Sequence, residues 1–248
     1  MSEQWTNELG QPIGAPLPEW RPPPRPGPAD LVGTWCSVQP LAPRHAQDLF
    51  AANALDVEGR NWTYLGYGPF ASLEPYRAWV DGVCDRDDPL FLAIVDRERG
   101  APVGVASYLR IEPGAGSIEV GHINYSPLLQ RRRAATEAMF LMMRNVFDLG
   151  YRRYEWKCDV CNAPSRRAAE RLGFRYEGLF RQALVYKGRN RDTTWFSIID
   201  AEWPALRRAY EAWLSPENFG PDGGQRRPLA ALVSEARVGN AASDRGSG

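Results

Sequence analysis

Residues Glu119-Val-Gly-His-Ile-Asn-Tyr-Ser-Pro-Leu-Leu-Gln-Arg-Arg-Arg-Ala-Ala-Thr-Glu-Ala138 constrain the fold more than any other stretch of the chain. The segment up to Tyr125 has the character of a strand, Pro127 interrupts it, and from Ala134 to Leu149 Ala, Met, Leu and Phe recur at helical spacing. A strand therefore runs through a short basic turn straight into a helix. The first N–H groups of a helix lack intrahelical partners and carry the positive end of its dipole, so this arrangement presents an anion site. Arg131, Arg132 and Arg133 add side-chain charge suited to a diphosphate or a ribose phosphate. A solvated arginine run is the plainer reading of the same three residues.

A second block follows: Asn162-Ala-Pro-Ser165, then Arg171-Leu-Gly-Phe174 and Tyr176-Glu-Gly178. Asn162 is placed to cap a helix with Pro164 in its first turn, and Gly173 to close that helix about three turns later.

The two blocks together resemble the acyl-CoA signature of the GNAT superfamily of N-acetyltransferases, in which Gln or Arg is followed by two residues, Gly, one residue, and Gly or Ala. Gln130 and Ala135 match its ends, and Arg133 stands at the central Gly, where the backbone would approach a pyrophosphate. Thr136-Glu137-Ala138 and the Asn162 and Ser165 pair resemble the RimJ/RimL-type branch. The resemblance covers about residues 35 to 203. It implies an α/β (α+β) fold: a mixed, largely antiparallel central sheet of about seven strands, helices on both faces, and a splayed strand pair holding acyl-CoA. It also implies transfer of an acetyl or other short acyl group from acyl-CoA to a primary amine, of a protein N-terminus or a small molecule, by direct attack.

In such a fold the main chain of Ile123, Asn124 and Tyr125 would hold the pantetheine. Gln130, Arg131, Arg132, Arg133, Ala134, Ala135, Thr136 and Asn162 would bind the rest of the co-substrate. Many relatives place a tyrosine acid seven residues after the Asn, where this chain has Ala169. The resemblance instead offers the Ser165 hydroxyl as partner of the CoA sulfur; helix capping is the competing reading of that serine. An ammonium is no nucleophile, so a base or a water chain must take its proton. Glu119 and His122 are the candidates, and strand alternation puts them on opposite faces unless a bulge intervenes. Glu119 is the preferred catalytic residue, and His122 has a structural reading as well.

The acceptor side falls to Asn61-Trp-Thr-Tyr-Leu-Gly-Tyr-Gly-Pro-Phe70, an aromatic loop whose Trp62, Tyr64 and Tyr67 would line a pocket with His122 and Tyr186. Packing at the edge of the core explains such aromatics equally well. Asp192 fits a turn.

Thirty basic residues balance thirty acidic ones, which speaks against nucleic acid or an anionic membrane as partner. No apolar run has bilayer length and Met1-Ser-Glu-Gln-Trp5 has no signal-peptide character, so a cytoplasmic protein is expected. Cys158 and Cys161 form a lone C-x-x-C without a second pair or a histidine cluster, and no metal is expected. The ends differ from the middle. Residues 1–34, with Pro16, Pro18, Pro22, Pro23, Pro24, Pro26 and Pro28, read as an extended arm laid on the core or on a partner subunit. Residues 35–214 read as the acyltransferase domain, and 215–248 as a mostly flexible tail with a short helix over Leu229–Val238. A homodimer is compatible with this reading. A non-catalytic acyl-CoA-binding module and an RNA-associated protein are the rival functions.

Overall fold

The computed structural model describes residues 4–246, so residues 1–3 of the expected arm and 247–248 of the expected tail lie outside the described residues. An exposed hairpin of β1 (Trp5–Thr6) and β2 (Pro12–Ile13) precedes the main sheet. The elements that follow are β3 (Leu31–Val32), β4 (Cys36–Pro40), α1 (Ala46–Asn53), α2 (Leu73–Asp81), β5 (Leu90–Asp96), β6 (Ala101–Glu112) and β7 (Ser117–Tyr125). Then come α3 (Arg133–Asp148), β8 (Arg153–Asp159), α4 (Ala163–Arg171), β9 (Arg175–Tyr186), β10 (Arg189–Ile199), α5 (Trp203–Leu214) and α6 (Leu229–Gly246).

One sheet of eight strands orders them β3-β4-β5-β6-β7-β8-β10-β9. Every neighbouring pair is antiparallel except β7 and β8, which are joined through α3 and run parallel. A parallel pair needs a crossover, and the helix of the 119–138 stretch supplies it. The eighth strand, beyond the seven expected, is the two-residue β3 at the edge. β5 is apolar along most of its length, as a strand covered on both faces must be. Two apolar clusters confirm that cover: Leu49 of α1 and Tyr76 and Val80 of α2 pack with Phe91 and Val105 on one side, and α3, α5 and α6 pack over Ile94, Tyr108 and Ile118 on the other.

The proline-rich arm lies against this body: Pro23 and Pro26 are buried, Trp20 sits by Gly116 and Arg152, and Arg25 donates to the carbonyls of Ile111 and Asp87. The tail expected over 215–248 carries regular structure among the described residues. Pro216–Asn218 form a turn of 3-10 helix and α6 runs from Leu229 to Gly246, longer than the short helix foreseen. The physical reason is an i, i+3, i+4 pattern, Leu229, Leu232 and Val233, buried beside Leu206 of α5. Gly173 lets them meet: a Cβ there would stand 2.9 Å from Leu206 and 3.5 Å from Val233, and its φ of 94° suits only glycine. No helix among the described residues is long and apolar enough to cross a membrane.

Candidate active site

β7 and β8 pair from Ser117↔Arg153 to Val120↔Trp156 and no further. Past that point β7 follows β6 and β8 follows β10, so the two parallel neighbours part. The gap is a cleft of about 380 Å³ lined on one side by Glu119 to Ile123 and on the other by Trp156 to Asp159. A bulge drives the parting. His122 and Ile123 stand together opposite Ala106, between the pairs Val105↔Asn124 and Ser107↔Gly121, and His122 takes a left-handed φ of 50°. A bulge adds a residue, bends its strand and re-aims the side chains beyond. Glu119 and His122, on opposite faces in a regular strand, therefore both line the cleft.

Glu119 is only 3% exposed, and its Oε2 accepts from Arg110 Nη1 at 2.7 Å and Lys157 Nζ at 2.9 Å. Lys157 is held in turn by Glu155 at 2.8 Å and stands 3.6 Å above the centre of the Trp195 ring. Burial pushes the Glu119 carboxyl above the usual range, while Arg110 and Lys157 pull it back. Its Oε1 has no hydrogen-bond partner among the described residues and lies on the side of Gly121, 3.5 Å from where a Cβ there would be. Burial, helped by the charges of Arg110 and Arg191, lowers the His122 imidazole to about 4, so the ring is neutral at neutral pH. It stacks on Tyr67 at 5.7 Å and leans on Phe91 at 4.9 Å.

Across the gap, Asn162 is the N-cap of α4, its Oδ1 accepting from the Ser165 N–H at 3.1 Å. Capping thus belongs to Asn162 and leaves the Ser165 side chain free of that duty. Ser165 Oγ accepts from the Trp156 indole N–H at 3.0 Å and lines the cleft, so its own hydrogen is available to another acceptor.

At the start of α3 the N-cap is Arg132, and no side chain caps the first helical N–H groups. Arg131 (φ 60°) turns the chain, and Arg131 and Arg132 are both exposed. Arg133 is different. Its guanidinium stands 3.8 Å over Phe219 and donates to the Gly223 carbonyl at 3.1 Å, so its side chain is engaged with the C-terminal segment. As the first helical residue it needs no glycine for its conformation; Arg131 is the left-handed position of this turn. Gln130 ties the turn back, donating to Asn61 Oδ1 and to the Tyr125 carbonyl. Ala134 is buried, Ala135 is half-buried, and Thr136 Oγ1 faces Arg171 at 2.8 Å. Glu137, next in line, accepts the backbone N–H groups of Thr34, Trp35 and Cys36 at 2.7, 2.7 and 2.8 Å.

The main chain expected at the pantetheine is partly engaged: the Tyr125 carbonyl accepts from Asn61 and Gln130. Ile123 lines the cleft, and Asn124 is buried with Oδ1 unpartnered. Among the aromatics, Tyr64 lines the cleft and spans it, its hydroxyl donating to the Cys161 carbonyl at 3.0 Å. Trp62 is a core residue, edge-on to Tyr67, Phe70 and Tyr76, and Tyr67 lies behind His122. Tyr186 does not itself line the cleft; it donates at 2.9 Å to Oδ2 of Asp159, which does. Lys187 fastens the roof by donating to the Trp62 carbonyl.

Sequence reasoning missed Lys157, Arg110, Trp156, Arg191 and Trp195, all of which line the cleft. A signal existed for Lys157: Arg153, Glu155 and Lys157 alternate with Tyr154, Trp156 and Cys158, which marks a charged face on an otherwise buried strand.

The family model described as an acetyltransferase (GNAT) domain matches residues 37–175. A crystal structure of a GCN5-related N-acetyltransferase from Brucella melitensis is 48% identical, covering 88% of this chain and 100% of that one with a TM-score of 0.86. A probable acetyltransferase of the GNAT family from Chromobacterium violaceum is 40% identical over 78% of this chain and 98% of its own, TM-score 0.73. The microcin C7 self-immunity acetyltransferase MccE, crystallised with acetyl-CoA and AMP, shares the fold at 19% identity and TM-score 0.60, over 67% of this chain and 93% of that one. No curated protein matches the chain.

Proposed function

The chain belongs to the GNAT acetyltransferase family and is an acyl-CoA-dependent acetyltransferase; on that premise we propose that it acylates the primary amine of a small molecule by direct attack, within the RimJ/RimL-type branch. The observation that carries this reading is the parting of β7 and β8 with Glu119, His122 and Ser165 on the walls of one cleft.

Acetyl-CoA supplies the activated acyl group when bound. The uncapped first turn of α3, with Arg131 and Arg132, would hold its phosphates, and the gap between the strands would take the pantetheine. A bulge leaves its extra residue out of the regular ladder, and on this reading a backbone N–H of β7 at His122–Ile123 would polarise the acyl oxygen. Glu119 Oε1 orients the amine and takes its proton, directly or through water, while Oε2 stays fixed by Arg110 and Lys157. His122, neutral and stacked on Tyr67, walls the amine without repelling an ammonium. Ser165, its oxygen already engaged by Trp156, directs its hydrogen to the leaving sulfur. Tyr64 reaching across to Cys161 and Lys187 fastened to Trp62 roof the acceptor end, which favours a small amine over a protein terminus.

Calorimetry with acetyl-CoA and thiol release in the presence of small amines test the proposal together. Binding with a matching rise in Tm, and amine-dependent thiol release, are expected. No binding at millimolar acetyl-CoA refutes it.

A further inference from the structure

The charges of the cleft do not balance. Arg110, Lys157 and Arg191 line it against two carboxylates, Glu119 and Asp159. Both acids are already used. Glu119 holds Arg110 and Lys157 on one oxygen, and Asp159 accepts the Cys161 N–H on Oδ1 at 2.8 Å and the Tyr186 hydroxyl on Oδ2 at 2.9 Å. Lys157 has a further carboxylate in Glu155. Arg191 is the cation left over: among the described residues no carboxylate pairs with it.

Arg191 is nonetheless held in place. Its Nε donates to Thr193 Oγ1 at 3.1 Å, and its guanidinium lies 5.8 Å from the centre of the Tyr186 ring, which Asp159 fixes from the other side. The two terminal nitrogens make no hydrogen bond within the described residues, and the side chain is half-buried. A fixed, half-buried guanidinium with its outer edge unused is a fork for a planar or tetrahedral anion. Arg110 lines the same cleft, though Glu119 already holds it.

We propose that the acceptor carries an anionic group, a carboxylate or a phosphate, close to its amine, and that Arg191 binds that group while Glu119 receives the ammonium end. This deepens the acyltransferase reading and rests on it. The pairing gives the cleft a polarity. An acceptor with one charge of each sign sits amine-first toward Glu119 and the splayed strands, anion-first toward Arg191. A polycation such as a polyamine meets Arg191 within the cleft and is disfavoured.

The test is thiol release from acetyl-CoA with a panel of amino carboxylates and aminophosphonates, each beside its uncharged carboxamide or ester, for wild type, Arg191→Gln and Arg191→Lys. Wild type is expected to favour the charged member by about ten- to a hundredfold in kcat/KM, the range of one charged hydrogen-bonded contact. Arg191→Gln should bring that ratio close to one, and Arg191→Lys should recover part of it. The better of the two charged series tells carboxylate from phosphate. Acylation of neutral or polycationic amines at equal or higher efficiency, or an equal loss for both members of each pair in Arg191→Gln, overturns this proposal and leaves the acyltransferase intact. Tight acetyl-CoA binding with no thiol release for any amine overturns both. Melting curves of the two variants separate loss of fold from loss of recognition.

Discussion

Ser165 shows how much a single contact decides about a residue's task. The sequence allows a cap or a donor to sulfur, and Asn162 Oδ1 on the Ser165 N–H takes up the capping, which supports the proposed donor role. Ser165→Ala should lower kcat by about tenfold or more with little change in acetyl-CoA affinity, because the bond strengthens as charge develops on sulfur. Stability should fall too, by about 1–3 kcal/mol, since the buried Trp156 indole loses its acceptor, so kinetics and not the melting curve is the deciding measurement. Glu119→Gln is expected to reduce kcat by about a hundredfold while acetyl-CoA still binds, measured by single-turnover kinetics and calorimetry. His122 makes a prediction about acid. Its folded pKa of about 4 lies below the ordinary 6.5, so between these values the unfolded chain takes up a proton that the native ring refuses. Stability should therefore be complete above about pH 6.5 and decline as the pH falls toward 4, and His122→Phe should flatten that part of the profile in urea titrations. The sequence named Glu119 and His122, yet it gave no sign of the bulge that unites them, because a bulge depends on what the partner strand offers opposite.

Elements were legible where hydrophobic period and caps coincide. β7 over Ser117–Tyr125 and α4 between Asn162 and Gly173 follow from local pattern alone. α5 escaped, although Leu206, Ala209, Tyr210 and Trp213 have helical spacing and are buried. α3 is the element on which the proposed co-substrate site depends, and its neighbouring arginines divide between two tasks. Reversing Arg131 and Arg132 to Glu should weaken CoA far more than a pantetheine fragment without phosphates, in parallel calorimetric titrations. Arg133→Ala should spare CoA by comparison and loosen the C-terminal segment, because its partners are Phe219 and Gly223. One turn on, Glu137 pins the start of β4 through three backbone N–H groups; Glu137→Ala strands those donors and should cost more than about 3 kcal/mol in denaturant unfolding. Glu137 stands in the sequence only as part of the Thr136-Glu137-Ala138 resemblance, and nothing local reveals that its partners lie about a hundred residues earlier.

At the scale of the molecule, the arm and the tail are part of what supports the sheet. Removing residues 215–248 takes Leu229, Leu232 and Val233 off Gly173 and Leu206 and should lower Tm by about 10–20 °C, at about 1.5–3 kcal/mol per buried side chain. Composition hid this, because a Gly- and Arg-rich linker surrounds a short apolar stripe whose worth depends on the surface it meets. Among the described residues five non-glycine residues have left-handed backbone: Arg110, His122, Arg131, Gln182 and Lys187. Each lies on or beside the cleft or its anion turn, through the Glu119 ion pair, the bulge, the start of α3, the neighbour of Ala183 and the bond to Trp62. Such conformations cost on the order of 1 kcal/mol or more apiece. A laboratory selection for heat resistance alone would therefore find glycine cheapest at Arg131, an exposed residue with little packing to lose, and the survivors would be sturdier proteins with part of that turn's charge erased.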